Sequence, residues 1–462
     1  MSGQFDAFET ALPVPAPVAF AWHDRPGALR RLLPPWQSMR VLRDDASLQV
    51  GSRVVMQLRF VGLPMPRAWH ARHVAYEPPH VFEDIAERGP FAHWRHRHRF
   101  LPAGPDGVDA RLRDEVQWSL PFAAMTQPLL GRWVRGELQR MFDFRHRRTR
   151  EDLQRHAAFD ANLAGRRLRV GITGATGAIG AELTAFLQTG GHHVVGFGRR
   201  PGQAHFDAEA GTIDAAALDG LDVVVHLAGT TIGQRWTDAA QRSIRRSREV
   251  GTRALAEAMA SRPDGPRRLV SVSAVGWYGD RTTRVDADSE PGQGFAAEVA
   301  AAWEGAAEPA RAAGLSVVHP RMAVVLDPRS GALHRMLPAF RAGVGGPVGH
   351  GRQAMPWIAL DDAVYGLAAL AVDPALALEG PVDLVAPQAV AQAEFARTLG
   401  RVLGRPAVLP LPALAVRTLF GAMGDELLLR GAPVHPTHLL RAGFRFAYPD
   451  LEGALRHLLG YS

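Results

Sequence analysis

The stretch GITGATGAIG, residues 171–180, sets Gly174, Gly177 and Gly180 between an apolar run and a segment, AELTAFLQ, whose apolar residues recur at helical spacing. Glycines at the point where a buried strand turns into a helix restrict the fold sharply. The first allows a tight turn, the second lets a phosphate approach the backbone, and the third lets helix pack on strand. The helix N-terminus adds unpaired N–H groups and a dipole that favours an anion. The spacing is GxxGxxG, not GxGxxG, so the flanking strand and helix carry the inference. They predict a unit that holds a dinucleotide pyrophosphate against Gly174, Thr176, Gly177, Ala178, Ile179 and Gly180.

Further along, a second strand, HHVVGF, should end at the ribose of the adenosine half, where an acidic residue would accept from the 2′-OH of NAD. Gly198, Arg199 and Arg200 stand there instead. Paired guanidiniums suit a 2′-phosphate, which favours NADP(H) over NAD(H). Two solvated loop arginines are the other reading of the same pair. The apolar run LDVVVHLAG, residues 221–229, reads as a buried parallel strand whose end, Leu227, Ala228 and Gly229, lets a cofactor pass close to the backbone.

A chain of 462 residues has room for two or three domains. It contains no cysteine, which excludes disulfides and thiolate nucleophiles, and no lysine, since all 53 basic residues are arginine. No Schiff base and no Tyr-x-x-x-Lys pair can form. No segment has the uninterrupted apolar length of a membrane span, and MSGQFDAFET lacks a basic-then-apolar signal pattern, so the expected compartment is the cytoplasm. The net charge of +7 invites a nucleic-acid reading through RHRRTR (145–150) and Arg242, Arg245, Arg246 and Arg248. These runs lie on segments with one apolar face and read as solvated outer faces; with no nucleic-acid module beside them, no nucleic-acid partner is expected.

Before about residue 160 the pattern changes. Segments 52–62, 67–77, 92–101 and 110–120 alternate polar and apolar residues between Gly, Pro and Asp turns, which predicts an antiparallel sheet. Leu129, Leu130, Trp133, Val134, Leu138, Met141 and Phe142 then recur at spacings of three and four, giving a long helix with one apolar stripe. Residues 157–166 read as a short link. On the strand 92–101, Trp94, His96, His98 and Phe100 share a face, and same-face histidines can share an ion. Spacing supplies no third ligand, so histidines packed along a pocket are the reading adopted and no metal is expected.

Through FETALPVPAPVAFAWH, PRAWHARH, FEDIAERGPFAHWRHRHRF and the closing helix, this first part resembles the START-like ligand-binding superfamily of polyketide cyclase/dehydrase type. The resemblance implies an α+β helix-grip domain over residues 1–158 with an apolar pocket for a hydrophobic ligand. Residues 167–462 alternate strand-like and helical runs, an α/β Rossmann-type, doubly wound parallel sheet. The stretches ITGATGAIG, HLAGTTIGQRWT, SIRRSREVGT, SVSAVGWYGD, WEGAAE, PRMAVVL, GGPVGHGRQAMPWIALDD and HPTHLLRAGFRFAYPDLEGAL resemble the extended short-chain dehydrogenase/reductase superfamily, in its epimerase/dehydratase-like 39U subfamily. Residues from about 405 to 462 match the subfamily's C-terminal extension and are expected to form helices and a short strand that cap the substrate side.

In catalytic relatives a Ser or Thr ending the fifth strand acts with a Tyr-x-x-x-Lys pair on the next helix. Carried over, the resemblance places Ser273 at the Ser/Thr position but Val299 and Trp303 at those of Tyr and Lys. Ser273 is then the group that orients a substrate oxygen, and Tyr278 is the remaining acid/base, or else a packing residue. Arg321 and Arg352 are candidates to hold an anionic substrate group and Trp277 to wall the site. The expected function is that of an NADP(H)-binding oxidoreductase or epimerase-like enzyme acting on a small, hydrophobic carbonyl or hydroxyl substrate presented by the START-like part. The other reading is a non-catalytic sensor of the nicotinamide cofactor.

Overall fold

Alternation in the first 120 residues resolves into strands β1 (Gln4–Leu12), β2 (Ser38–Asp44), β3 (Arg53–Arg59), β4 (Arg67–Glu77), β5 (Val81–Arg88), β6 (His93–Ala103) and β7 (Asp109–Ser119). The computed structural model describes residues 3–59, 67–104 and 106–461; residues 60–62 of the strand expected over 52–62 lie outside them. The strands form one antiparallel sheet in the order β1-β7-β6-β5-β4-β3-β2. Helices α1 (Ala16–Asp24) and α2 (Ala28–Leu32) follow β1, and α3 (Ala123–Asn162) follows β7. One sheet face is apolar because every second residue turns inward. Phe8, Trp69, Trp94, Val116 and Trp118 of that face pack with Val134, Leu138, Met141 and Phe142 of α3.

The apolar stripe expected along α3 is buried only in its second half. Leu129, Leu130 and Trp133 are exposed, whereas His146 and Arg148, in a run read as solvated, are buried. Periodicity fixes which residues share a helix face but not how far along its length that face is covered. The link expected at 157–166 is helical as far as Asn162.

A second compact unit holds most of residues 162–458. It comprises β8 (Arg169–Thr173), α4 (Ala178–Thr189), β9 (His193–Gly198), β10 (Ala204–Asp207), β11 (Thr212–Ile213), β12 (Val223–His226), α5 (Asp238–Ala260), β13 (Arg268–Ser271), β14 (Ser273–Ala274), α6 (Phe295–Gly305), α7 (Glu308–Ala312) and β15 (Ser316–Met322). Then come β16 (Val324–Leu326), α8 (Gly331–Arg341), β17 (Trp357–Ala359), α9 (Leu360–Val372), β18 (Gly380–Leu384), α10 (Gln392–Leu403), α11 (Ala413–Phe420), α12 (Ala422–Leu428), α13 (Thr437–Arg441) and α14 (Leu451–Leu459). The sheet order is β11-β10-β9-β8-β12-β13-β15-β14, with β18 also on β15. Only the β10–β11 pair is antiparallel. This is the Rossmann-like arrangement, in which the crossover connections leave the carboxyl ends of β8, β9 and β12 side by side.

The short strand expected in the C-terminal extension does not form among the described residues. The segment Phe446–Tyr448 runs without regular structure, and the Asp362 carboxylate accepts from the amides of Ala447 (2.7 Å) and Tyr448 (2.9 Å). A buried side chain thus replaces the strand neighbour that this segment lacks. Among the described residues, no helix is long and apolar enough to cross a membrane.

Candidate functional site

A cleft of about 560 Å³ opens at the carboxyl ends of β8, β9 and β12; it is lined by Gly174, Thr176, Gly177, Arg199, Arg200, Leu227, Ala228 and Gly229. Gly174 takes a positive φ of 70°, a conformation that a side chain would strain. A Cβ on Gly180 would lie 2.3 Å from the Gly174 carbonyl oxygen, so only glycine lets α4 start this close to β8. Ala178 and Ile179 form the first turn of α4, whose leading amides have no partner inside the helix. Thr173 Oγ1 accepts from the Leu227 and Ala228 amides at 3.1 and 3.2 Å and stands 2.7 Å from Nδ1 of buried His226. Burial lowers the pKa of that imidazole to about 3, so it is uncharged.

At the far end, both arginines are exposed. Arg199 has three-quarters of its side chain in solvent and lies 3.7 Å from Asp207. The Arg200 amide donates to Gln203 Oε1 at 3.3 Å. Gln203, Asp207 and Glu209 complete this end of the cleft. Glu209 accepts from Thr230 (2.7 Å) and Ser243 (2.8 Å), which holds its carboxyl below the usual range. Sequence reasoning missed these three; the polar positions of QAHFDAE, which is separated from the arginine pair by two residues, were the signal.

Arg248, expected on a solvated face, is 9% exposed. Its guanidinium donates to the carbonyls of Thr230 (2.8 Å) and Ile244 (3.2 Å) and lies 4.7 Å from the centroid of the Trp303 ring. Burial lowers its pKa to about 10, so it remains charged at neutral pH. A Cβ on Gly229 would stand 3.6 Å from its Cζ, which puts this cation directly behind the cleft wall.

The remaining candidates gather on neighbouring strands. Register pairs Ser273 of β14 with Arg321 of β15, and Arg321 with Asp383 of β18. The Ser273 hydroxyl is buried and has no hydrogen-bond partner. Tyr278 is fully buried; its hydroxyl donates to Asp383 Oδ1 at 2.7 Å and accepts from Arg321 at 3.0 Å. Arg321 also forms two bonds to Glu304, at 2.8 and 3.0 Å, and its Cζ lies 3.8 Å from the Trp277 ring centroid. Its donors are therefore committed within the protein. Burial raises the Tyr278 phenol and lifts the Asp383 carboxyl to about 7. Asp383, absent from the sequence-based candidates, carries no motif and is recognised only by register. Arg352 is exposed, on a loop whose amide at that residue donates to His350 Nδ1 at 3.0 Å, and lies outside this row.

Residues 170–382 match the model of the NAD dependent epimerase/dehydratase family, and residues 12–144 that of polyketide cyclase / dehydrase and lipid transport. Residues 411–458 match a domain of unknown function. Epimerase family protein Mb2239 of Mycobacterium bovis is 42% identical over 292 residues, covering 62% of this chain and 96% of that protein. The human epimerase family protein SDR39U1 is 36% identical over 298 residues, 63% of this chain and 100% of that protein. Among solved structures, a nucleoside-diphosphate sugar epimerase from Corynebacterium glutamicum is similar with a TM-score of 0.80 at 31% identity, over 98% of this chain and 90% of that one. Human SDR39U1 isoform 2, crystallised with NADPH, is similar with a TM-score of 0.58 at 35% identity, over 63% of this chain and 99% of that one.

Proposed function

We propose that this chain, which belongs to the NAD dependent epimerase/dehydratase family, is an NADP(H)-dependent oxidoreductase or epimerase-like enzyme acting on the carbonyl or hydroxyl group of a small, hydrophobic compound. The observation that carries the reading is the cleft that runs from the Gly174–Gly177 turn to the exposed Arg199 and Arg200. Its donor set fits the group: helix amides for a pyrophosphate at one end, two guanidiniums for a 2′-phosphate at the other. The human relative's NADPH complex supports the same choice. Bound there, the nicotinamide would supply hydride chemistry.

The chain's own residues supply the rest. Thr173 fixes the backbone of Leu227 and Ala228 along the cleft. The unpartnered Ser273 hydroxyl is the group we assign to the substrate oxygen, since a buried donor without a partner is costly until a ligand fills the bond. Tyr278 holds its proton, because burial beside Asp383 opposes ionisation, and it serves as an acid and not as a base. Asp383 accepts the phenol's hydrogen bond at 2.7 Å and fixes the direction in which that proton points. Arg321 has a positioning role, clamped by Glu304 against both Tyr278 and Trp277.

The first unit reads as a helix-grip domain whose aromatic interior, with Phe82, Phe100, Trp94 and Trp118, suits a hydrophobic ligand. The Corynebacterium relative makes a sugar nucleotide the competing substrate class. A second reading, a cofactor sensor without turnover, is favoured by Val299 and Trp303, which bury apolar surface at the positions of the missing proton-transfer pair.

Purified full-length protein mixed with NADPH and a carbonyl panel tests these readings through loss of nucleotide absorbance. Turnover that disappears in Ser273→Ala, with NADPH affinity kept, is the expected result. Tight NADPH binding with no turnover on any compound supports the sensor, and absence of nucleotide binding overturns both.

A further inference from the structure

Outside the nucleotide cleft, the interior of the first unit holds a cluster of charge-bearing side chains. Strand pairing sets Asp84 of β5 opposite His96 of β6, and His98 of β6 opposite Asp114 of β7. Two residues of alternation bring His96 and His98 to the same inward face, with ring centroids 3.9 Å apart. Asp84, His96 and His98 each offer one ligand atom within 4.8 Å of the others. The sequence shows the two histidines, but only the β5–β6 register supplies the third group.

The arrangement around these three is that of a supported metal site. His96 turns Nδ1 toward Asp84 Oδ2 at 3.6 Å, while its Nε2 is 2.9 Å from Asp114 Oδ1. A histidine that binds an ion through one nitrogen characteristically donates its other N–H to a carboxylate, which sets its tautomer and ring orientation. Asp114 is anchored in turn by His146 of α3, at 2.6 Å from Oδ2. The Nδ1 of His98 lies 2.6 Å from Asp114 Oδ1, so the same carboxylate faces both histidines. Phe82 stacks on His98 at 4.0 Å and Phe142 meets His96 edge-on at 5.2 Å, so apolar rings enclose the cluster. Arg145, whose charge acts on both Asp84 and Asp114, gives its Nε to the Leu32 carbonyl at 3.2 Å.

The geometry points to a divalent transition-metal site formed by Asp84, His96 and His98, with Asp114 and His146 as its supporting shell. Two imidazoles and one carboxylate are the donor set that Zn²⁺ or Fe²⁺ takes when a position is left open for water or a ligand. Metal–ligand bonds of ~2.0–2.2 Å place donor atoms ~3.3 Å apart around a tetrahedral ion. Metal binding would draw these atoms, which lie within 4.8 Å of one another, together by side-chain rotation. An ion here would present its open position to the aromatic interior, where it would bind an oxygen of a hydrophobic ligand.

The test uses tag-free, full-length protein, stripped with chelator and titrated with Zn²⁺ by calorimetry and with Co²⁺ by visible absorption. One equivalent per chain is expected, with the ligand-field bands of a site containing nitrogen donors. Asp84→Asn and His98→Gln should each abolish that equivalent, whereas Asp114→Asn should weaken it ~10–100-fold, the cost of losing a supporting carboxylate. Unchanged circular dichroism and NADPH affinity show that the variants are folded. The proposal is overturned if wild type takes up no equivalent, or if Asp84→Asn and His98→Gln bind as wild type does, which would mean an adventitious surface ion only. Should a variant not fold, X-ray absorption of Co²⁺-loaded wild type decides: two imidazoles support the site, and an all-oxygen shell refutes it.

Discussion

The Arg248 guanidinium lies 4.7 Å from the ring centroid of Trp303. A cation from α5 therefore rests on the aromatic face of a side chain of α6. The adjoining Glu304 holds a second buried cation, Arg321. The adjacent Trp303 and Glu304 thus anchor two guanidiniums. Arg248→Leu should leave the Thr230 and Ile244 carbonyls without a buried donor, costing ~1–3 kcal/mol. Chemical denaturation checks this, and NADPH titration should show weaker binding because Arg248 backs Gly229. A variant equal to wild type in both would show that the cation is dispensable.

Arg199→Ala and Arg200→Ala should each weaken NADPH by ~10–100-fold, the equivalent of losing a charge-assisted bond of ~1.5–3 kcal/mol. NADH affinity should stay as it was. Fluorescence titration with both nucleotides discriminates: an equal loss for the two means that neither arginine reads the 2′-phosphate.

Gly180→Ala brings a methyl group to within 2.3 Å of the Gly174 carbonyl oxygen, and a backbone atom cannot yield as a flexible side chain does. Overpacking of this kind costs ~1–3 kcal/mol. The melting temperature should fall and NADPH affinity with it; an alanine variant that binds NADPH normally would place the turn elsewhere.

The Asp383 carboxyl has a folded-state pKa of about 7, raised by burial. Its unfolded value is ~3.9, so the folded state binds the proton more tightly. The stabilisation is complete below ~pH 4 and is lost as pH rises through the folded value, which amounts to ~4 kcal/mol over the whole range and ~2–3 kcal/mol between pH 5 and pH 8. Asp383→Asn keeps an acceptor for Tyr278 and removes the titration. Urea unfolding at the two pH values should show wild type losing more stability than the variant on going to pH 8; parallel losses would assign the pH dependence to other groups.

Trp133 and Leu138 follow the same helical spacing on α3, yet Trp133 is 59% exposed and Leu138 is 6% exposed. Leu138→Ala should cost ~2–5 kcal/mol as a core truncation, whereas Trp133→Ser should stay within ~0.5 kcal/mol. Thermal unfolding of the two variants measures the difference. A large loss at Trp133 would mean that this face is covered in solution.

Local pattern was enough to read the Gly174–Gly177–Gly180 turn, the four alternating segments of the first sheet, the buried strands around Val170 and Val224, and the absence of a Tyr-x-x-x-Lys pair. Each depends on residues a few positions apart, because backbone conformation and strand or helix period are set by near neighbours. The same pattern left Arg248 on the wrong side of its helix, extended the buried stripe of α3 too far, and placed a strand where the described residues of the C-terminal extension form none.

What packs against a face depends on segments distant in sequence. Asp84 joins His96, and Asp383 joins Ser273 through Arg321, only because strand register aligns them. Register is chosen by the summed burial of whole faces, since a slip of one residue would turn every inward side chain to solvent. Sequence alone therefore determined the chemistry available on each strand and the glycine turn between β8 and α4. Which of those groups meet, and which are buried deeply enough to change their protonation, was decided by tertiary packing, because both follow from non-local contacts.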